Sequence, residues 1–209
     1  MKAFFRLFPL AALFSSFSVA AAPSPIVAFA ACDEHSLAVV QSPLFKALVP
    51  SSVENGQIKL SGGTKSEMGQ RWMFAKPVEV AGLALTGFFA EDMELMGTRI
   101  VAWGFYAQQA PNELHAQLEN AGGPRLDKVH GLFARAEIWN HGKSTWLPED
   151  PAATAGKLVV DSAERVLMIE PAPQELSKTS QGMYSCSIQG KVNEAMLKTS
   201  RPDLISATH

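Results

Sequence analysis

Between residues 71 and 108, apolar side chains recur at every second position, and this constrains the fold more than any other feature of the chain. A period of two places alternate side chains on opposite faces of a pleated strand. Trp72 and Phe74 alternate up to Pro77, and Val78 and Val80 follow. Leu83, Leu85 and Gly87 then continue one pleat out of phase beyond Gly82, ahead of Phe88 and Phe89. Glycine at the change of phase predicts a bulge or bend there. From Arg99 to Gln108, Ile100, Ala102, Gly104 and Tyr106 face one way, while Val101, Trp103 and Phe105 face the other. Apolar residues on both faces predict a central strand or one covered by a helix.

Further strands are expected from Leu132 to Trp139, Lys157 to Val160, Arg165 to Glu170 and Met183 to Lys191, the last with Tyr184, Cys186 and Ile188 on its inner face. Pro111 opens a helix whose Leu114 and Leu118 form a narrow apolar stripe, and Gly122-Gly123-Pro124 ends it. Residues 33–49 predict a short helix interrupted by Pro43, and 50–70 a polar loop around a short strand at Ile58 and Leu60. Asn140-His141-Gly142 predicts a turn, and Trp146-Leu147-Pro148 to Gly156 a loop. No repeat or long linker divides the chain. The expected class is α+β: one compact domain over residues 31–198, with a mostly antiparallel sheet of about six to eight strands and one or two helices packed on a face. Residues 199–209 lack periodicity and are expected to fray.

Lys2 and Arg6 precede an uncharged run from Leu7 to Ala22, the pattern of a secretory signal peptide rather than a permanent span. Ala28-Phe29-Ala30 matches the small-x-small cleavage pattern and sets the expected signal peptide at residues 1–30, with cleavage after Ala21 as the alternative. Pro23 disfavours a cut after Ala22. No later segment is long and apolar enough to predict a transmembrane span in the mature chain. The expected address is periplasmic or secreted.

Only two cysteines are present, Cys32 and Cys186. In an oxidising compartment they are expected to pair, closing a loop of about 150 residues. The alternative is a lipid anchor through Cys32, because Phe29-Ala30-Ala31-Cys32 resembles a bacterial lipobox apart from Phe29, where an aliphatic residue is usual. Losing Lys2 and Arg6 from the 18 basic side chains leaves 16 against 20 acidic ones, a net charge of −4. That balance argues against nucleic acid as a partner, since phosphate-tracking surfaces carry basic excess.

Catalytic spacings are missing: the chain has no G-x-S-x-G, S-x-x-K, H-E-x-x-H or C-x-x-C. Ser61-Gly62-Gly63-Thr64-Lys65-Ser66 lacks the spacing of a phosphate loop and is expected to be a surface turn. His130 and His141 flank one strand and would stand roughly 35 Å apart if it were fully extended, too far for one ion. His115 is expected to be a solvated helix residue. Glu91, Asp92 and Glu94 crowd three carboxylates into what is expected to be an acidic turn between two strands, a weak candidate for cation binding or acid–base work. Trp146, with Thr145 and Pro148 beside it in a loop, is the best single candidate for an exposed contact residue, with a place in the core as the other reading, and His141 and Lys143 are contact candidates in the same region.

These features favour an exported envelope or periplasmic binding or inhibitory protein, of the immunity type, that acts through surface loops on an envelope protein or cell-wall component without catalysis. No cofactor or metal is expected. The alternatives are a small envelope hydrolase using Glu91, Asp92, Glu94, His130 or His141, and a structural component of an envelope assembly.

Overall fold

The computed structural model describes residues 24–154 and 161–205. Helix α1 (Pro25–Phe29) and a 3-10 turn (Ser36–Gln41) open the fold, followed by β1 (Ser51–Glu54) and β2 (Gln57–Leu60). Next come β3 (Thr64–Lys65), β4 (Gly69–Val80), β5 (Leu83–Leu95) and β6 (Thr98–Ala107), then helix α2 (Pro111–Asn120). The second half comprises β7 (Asp127–Val129), β8 (Leu132–Asn140), β9 (Thr145–Glu149), α3 (Pro151–Thr154), β10 (Ala163–Pro171), β11 (Gly182–Gly190) and α4 (Glu194–Lys198). 3-10 turns lie at Gln174–Leu176 and Pro202–Leu204. The expected strand over Lys157–Val160 lies outside the described residues.

The class is the α+β one expected. Among the described residues, nine strands form one antiparallel sheet in the order β3-β4-β5-β6-β11-β10-β8-β7, with β9 also paired to β8, and β1–β2 form a separate hairpin. β6 lies between β5 and β11, which explains why it is apolar on both faces. The two outer margins of the sheet carry Pro77 on β4 and Pro148 on β9. A proline has no N–H to offer a further strand, so both margins resist edge-to-edge pairing.

Among the described residues, four hairpins turn on an X-Gly pair: Asn55-Gly56, Ala81-Gly82, Met96-Gly97 and His130-Gly131, with both residues of each pair at positive φ. Such two-residue turns match the right-handed twist of the flanking strands. This corrects two expectations. The phase change at Gly82 is a hairpin turn, because the chain reverses there instead of bulging; the register shifts lie between Met73 and Val78 and between Leu85 and Gly87. Glu91, Asp92 and Glu94 are strand residues of β5, because the reversal falls at Met96-Gly97, beyond them.

The core lies on one face of the sheet, where Trp72, Phe88, Trp103, Phe105, Tyr184, Cys186 and Ile188 are buried together. Leu114 and Leu118 of α2, Met196 and Leu197 of α4, and the N-terminal segment cover them. Ile26 and Phe29, three residues apart on α1, are 0% and 1% exposed, so residues assigned to the leader from sequence are core residues. Part of the tail from residue 199 also packs against the core. Ser200 and Arg201 are buried, and the Arg201 guanidinium donates through Nε and Nη2 to the Asp203 carboxylate at 2.8 Å each and lies 5.3 Å over the Trp103 ring. Residues 206–209 lie outside the description.

Candidate functional site

Cys32 and Cys186 form a disulfide across 154 residues, with their Cα atoms 5.5 Å apart. β11 brings Cys186 to the middle of the core face, and the turn after α1 carries Cys32 onto it. The bond occupies the thiol that lipidation of Cys32 would need, which corrects that alternative.

Of the two readings of Trp146, the structure takes the buried one. It sits on β9, is 8% exposed, meets Trp139 edge-on at 5.1 Å and donates its indole N–H to Thr199 Oγ1 at 2.8 Å. Pairing of β9 with β8 sets Trp146 opposite Trp139 and turns both rings inward, an arrangement that depends on the register and not on local composition. Arg165 lies 5.0 Å over the Trp146 ring and is held by Glu137 through its Nε and Nη2, each 2.8 Å from Glu137 Oε2. Burial lowers the Arg165 pKa despite that partner. His141 and Lys143 are exposed in the turn between β8 and β9, where the Lys143 amide donates to Asn140 Oδ1 at 2.9 Å.

The three carboxylates of β5 have different surroundings. Asp92 accepts two hydrogen bonds from Arg99, 2.9 and 2.8 Å long, across the β5–β6 pair. Glu94 is exposed. Glu91 points to the opposite face from both, is 9% exposed and lies 3.6 Å from Arg71, which also donates to Glu175 at 3.0 Å and lies 6.0 Å over the Tyr106 ring. Burial raises the Glu91 pKa and outweighs the attraction of Arg71. The same burial raises the Tyr106 phenol to about 12.

The residues of the hydrolase alternative do not converge. His130 and His141 occupy turns at opposite ends of β8, while Glu91 is on β5, with β6, β11 and β10 between the two strands. Four strand spacings separate β5 from β8, about 19 Å. Among the described residues, no three His, Cys, Asp or Glu side chains gather as metal ligands would. His115 is also not solvated: its ring stacks on Phe133 at 4.1 Å, and its Nε2 is buried without a hydrogen-bond partner.

Two features were not anticipated from sequence. On the sheet face opposite the core, Gly104, Ala102, Ser185 and Ser187 are cross-strand neighbours, a row of small residues flanked by Ala134, Ala136 and Val166. A cavity of about 200 Å³ lies over its end, lined by His130, Met168, Val166, Ser187 and Gln189; there Gln189 donates to Glu164 at 2.8 Å. The second is the tip of hairpin β5–β6. Leu95 and Met96 are 55% and 84% exposed, and Met93, Leu95 and Ile100 share one face of the hairpin just below the turn. Met96 holds φ +52, a conformation that favours glycine or asparagine. The available signal was Met96-Gly97, an X-Gly pair like the other three hairpin turns.

Fold and sites together define an antiparallel-sheet α+β domain stapled by one long-range disulfide. No known protein family, no characterised protein and no solved structure matches the chain. Among the described residues, no helix is long and apolar enough to cross a membrane.

Proposed function

We propose that the chain is exported and acts as a non-catalytic binding or inhibitory protein of the envelope, holding a protein partner at the end of the sheet where hairpin β5–β6 projects. The observation that carries this reading is Met96, which is 84% exposed and at φ +52. An unbranched apolar side chain there gains nothing from burial and strains the turn, so its place is better explained by what it contacts outside the chain. Leu95 and Met93 extend the apolar surface, and the Asp92–Arg99 pair fixes its base. The disulfide fits an oxidising compartment. Proline at both sheet margins weighs against an envelope assembly built by strand addition.

The test is capture from envelope extract on the oxidised domain, with Met96→Asn as the matched variant. Asparagine suits the turn and removes the thioether, so the variant is expected to fold normally and lose the partner. Equal, stoichiometric capture by both proteins would remove the tip from the contact. Failure of a well-folded wild-type bait to capture anything would count against a binding protein.

A further inference from the structure

We propose that the leader is cut after Ala21, so that the mature chain begins at Ala22 and keeps the whole of α1. The inference rests on the export reading above and adds the processing site to it.

The two cuts expected from sequence each have residues that signal peptidase accepts at the third and first positions before the cut, Val19 and Ala21 for one, Ala28 and Ala30 for the other. The folded molecule distinguishes between them. Ile26, Phe29 and Ala30 are 0%, 1% and 3% exposed. The Phe29 ring meets Phe105 at 5.5 Å and Tyr184 at 5.3 Å, both edge-to-face. Three side chains of the sheet donate to this segment's carbonyls: Tyr184 to Ile26 at 3.4 Å, Arg135 to Ala30 at 2.8 Å and Arg165 to Cys32 at 3.4 Å.

A cut after Ala30 would empty the space that Phe29 fills beneath Phe105 and Tyr184. It would also take away the carbonyl that Arg135 binds and leave a new ammonium group on Ala31, beside that guanidinium. A cation would thus replace an acceptor next to a cation, at the chain end that must bring Cys32 to Cys186. A cut after Ala21 leaves every one of these contacts in place and falls just behind the apolar run that ends at Phe17. Water adds across the Ala21–Ala22 peptide bond; Ala21 leaves with the new carboxylate and Ala22 carries the new ammonium.

The test is the intact mass and N-terminal sequence of the exported protein, made as the full chain with its own leader. Loss of residues 1–21 and a start at Ala22 is expected. Ala28 is exposed, so Ala28→Glu spoils the second stretch without disturbing the core, and the start at Ala22 should persist. Ala21→Arg should accumulate uncut precursor. A start at Ala31 or any other residue, or a lipid on Cys32, would overturn the site while leaving export intact. An uncut wild-type chain retained in the cytoplasm would overturn the export reading and this inference together.

Discussion

The guanidinium of Arg165 lies 5.0 Å over the ring of Trp146, and Glu137 holds it with contacts of 2.8 Å. The pair joins β10 to β9 across β8 and closes the core at the end where the C-terminal residues dock. Trp146→Ala should therefore act on stability: about 3–5 kcal/mol lost, read as a lower denaturation midpoint. Trp146→Phe keeps a ring but loses the bond to Thr199 and should cost about 1 kcal/mol beyond the lost volume.

Reduction of Cys32–Cys186 should lower stability by about 2–5 kcal/mol, because the bridge restricts a long loop in the unfolded chain. Its sequence separation is 154 residues. Denaturant melts with and without reductant, and of the Cys32→Ala/Cys186→Ala double variant, measure it. Matching midpoints for the oxidised and reduced protein would show that packing around Phe29 alone holds the N-terminal segment.

Met96→Asn should raise stability by about 1 kcal/mol, since asparagine tolerates the left-handed conformation that a methionine resists. For a domain of this size that is a rise in Tm of about 2–4 °C. A fall in Tm would show that Met96 makes contacts within the fold that compensate for its backbone.

Burial raises the pKa of Glu170, and it raises that of Glu149 with help from Glu164 and Asp150. A carboxyl with a raised folded-state pKa contributes its stabilisation fully below the ordinary carboxylate range. That contribution is lost as the pH rises through the raised value. Glu170→Gln should accordingly stabilise the protein at about pH 7 and lose that advantage at about pH 4, where the wild-type carboxyl is protonated. A gain of the same size at both pH values would assign it to packing instead of charge. Thermal melts of the two proteins across that range decide it.

The strand runs at β6, β8, β10 and β11, the stripe of α2 and the cysteine pair were all legible, because each is a local pattern or a count. The reversals were harder. Ala81-Gly82 and Met96-Gly97 looked like a phase change and the start of a strand, since a two-residue turn interrupts an apolar alternation so briefly that one run reads through it. The acidic residues of β5 drew the eye as a turn because charge is a weak marker of strand.

The sequence by itself determined the class of the fold, the inner face of β11 and the availability of one bridge, all of which follow from periodicity and composition. Only the tertiary structure decided that Trp146 is buried, that Glu91 lies far from β8, and that Ile26 and Phe29 belong to the core. Those outcomes depend on which strands pair and in what register. Register is a long-range property: a shift of one residue turns every side chain of a strand to the other face, and no local pattern encodes the neighbour it will meet.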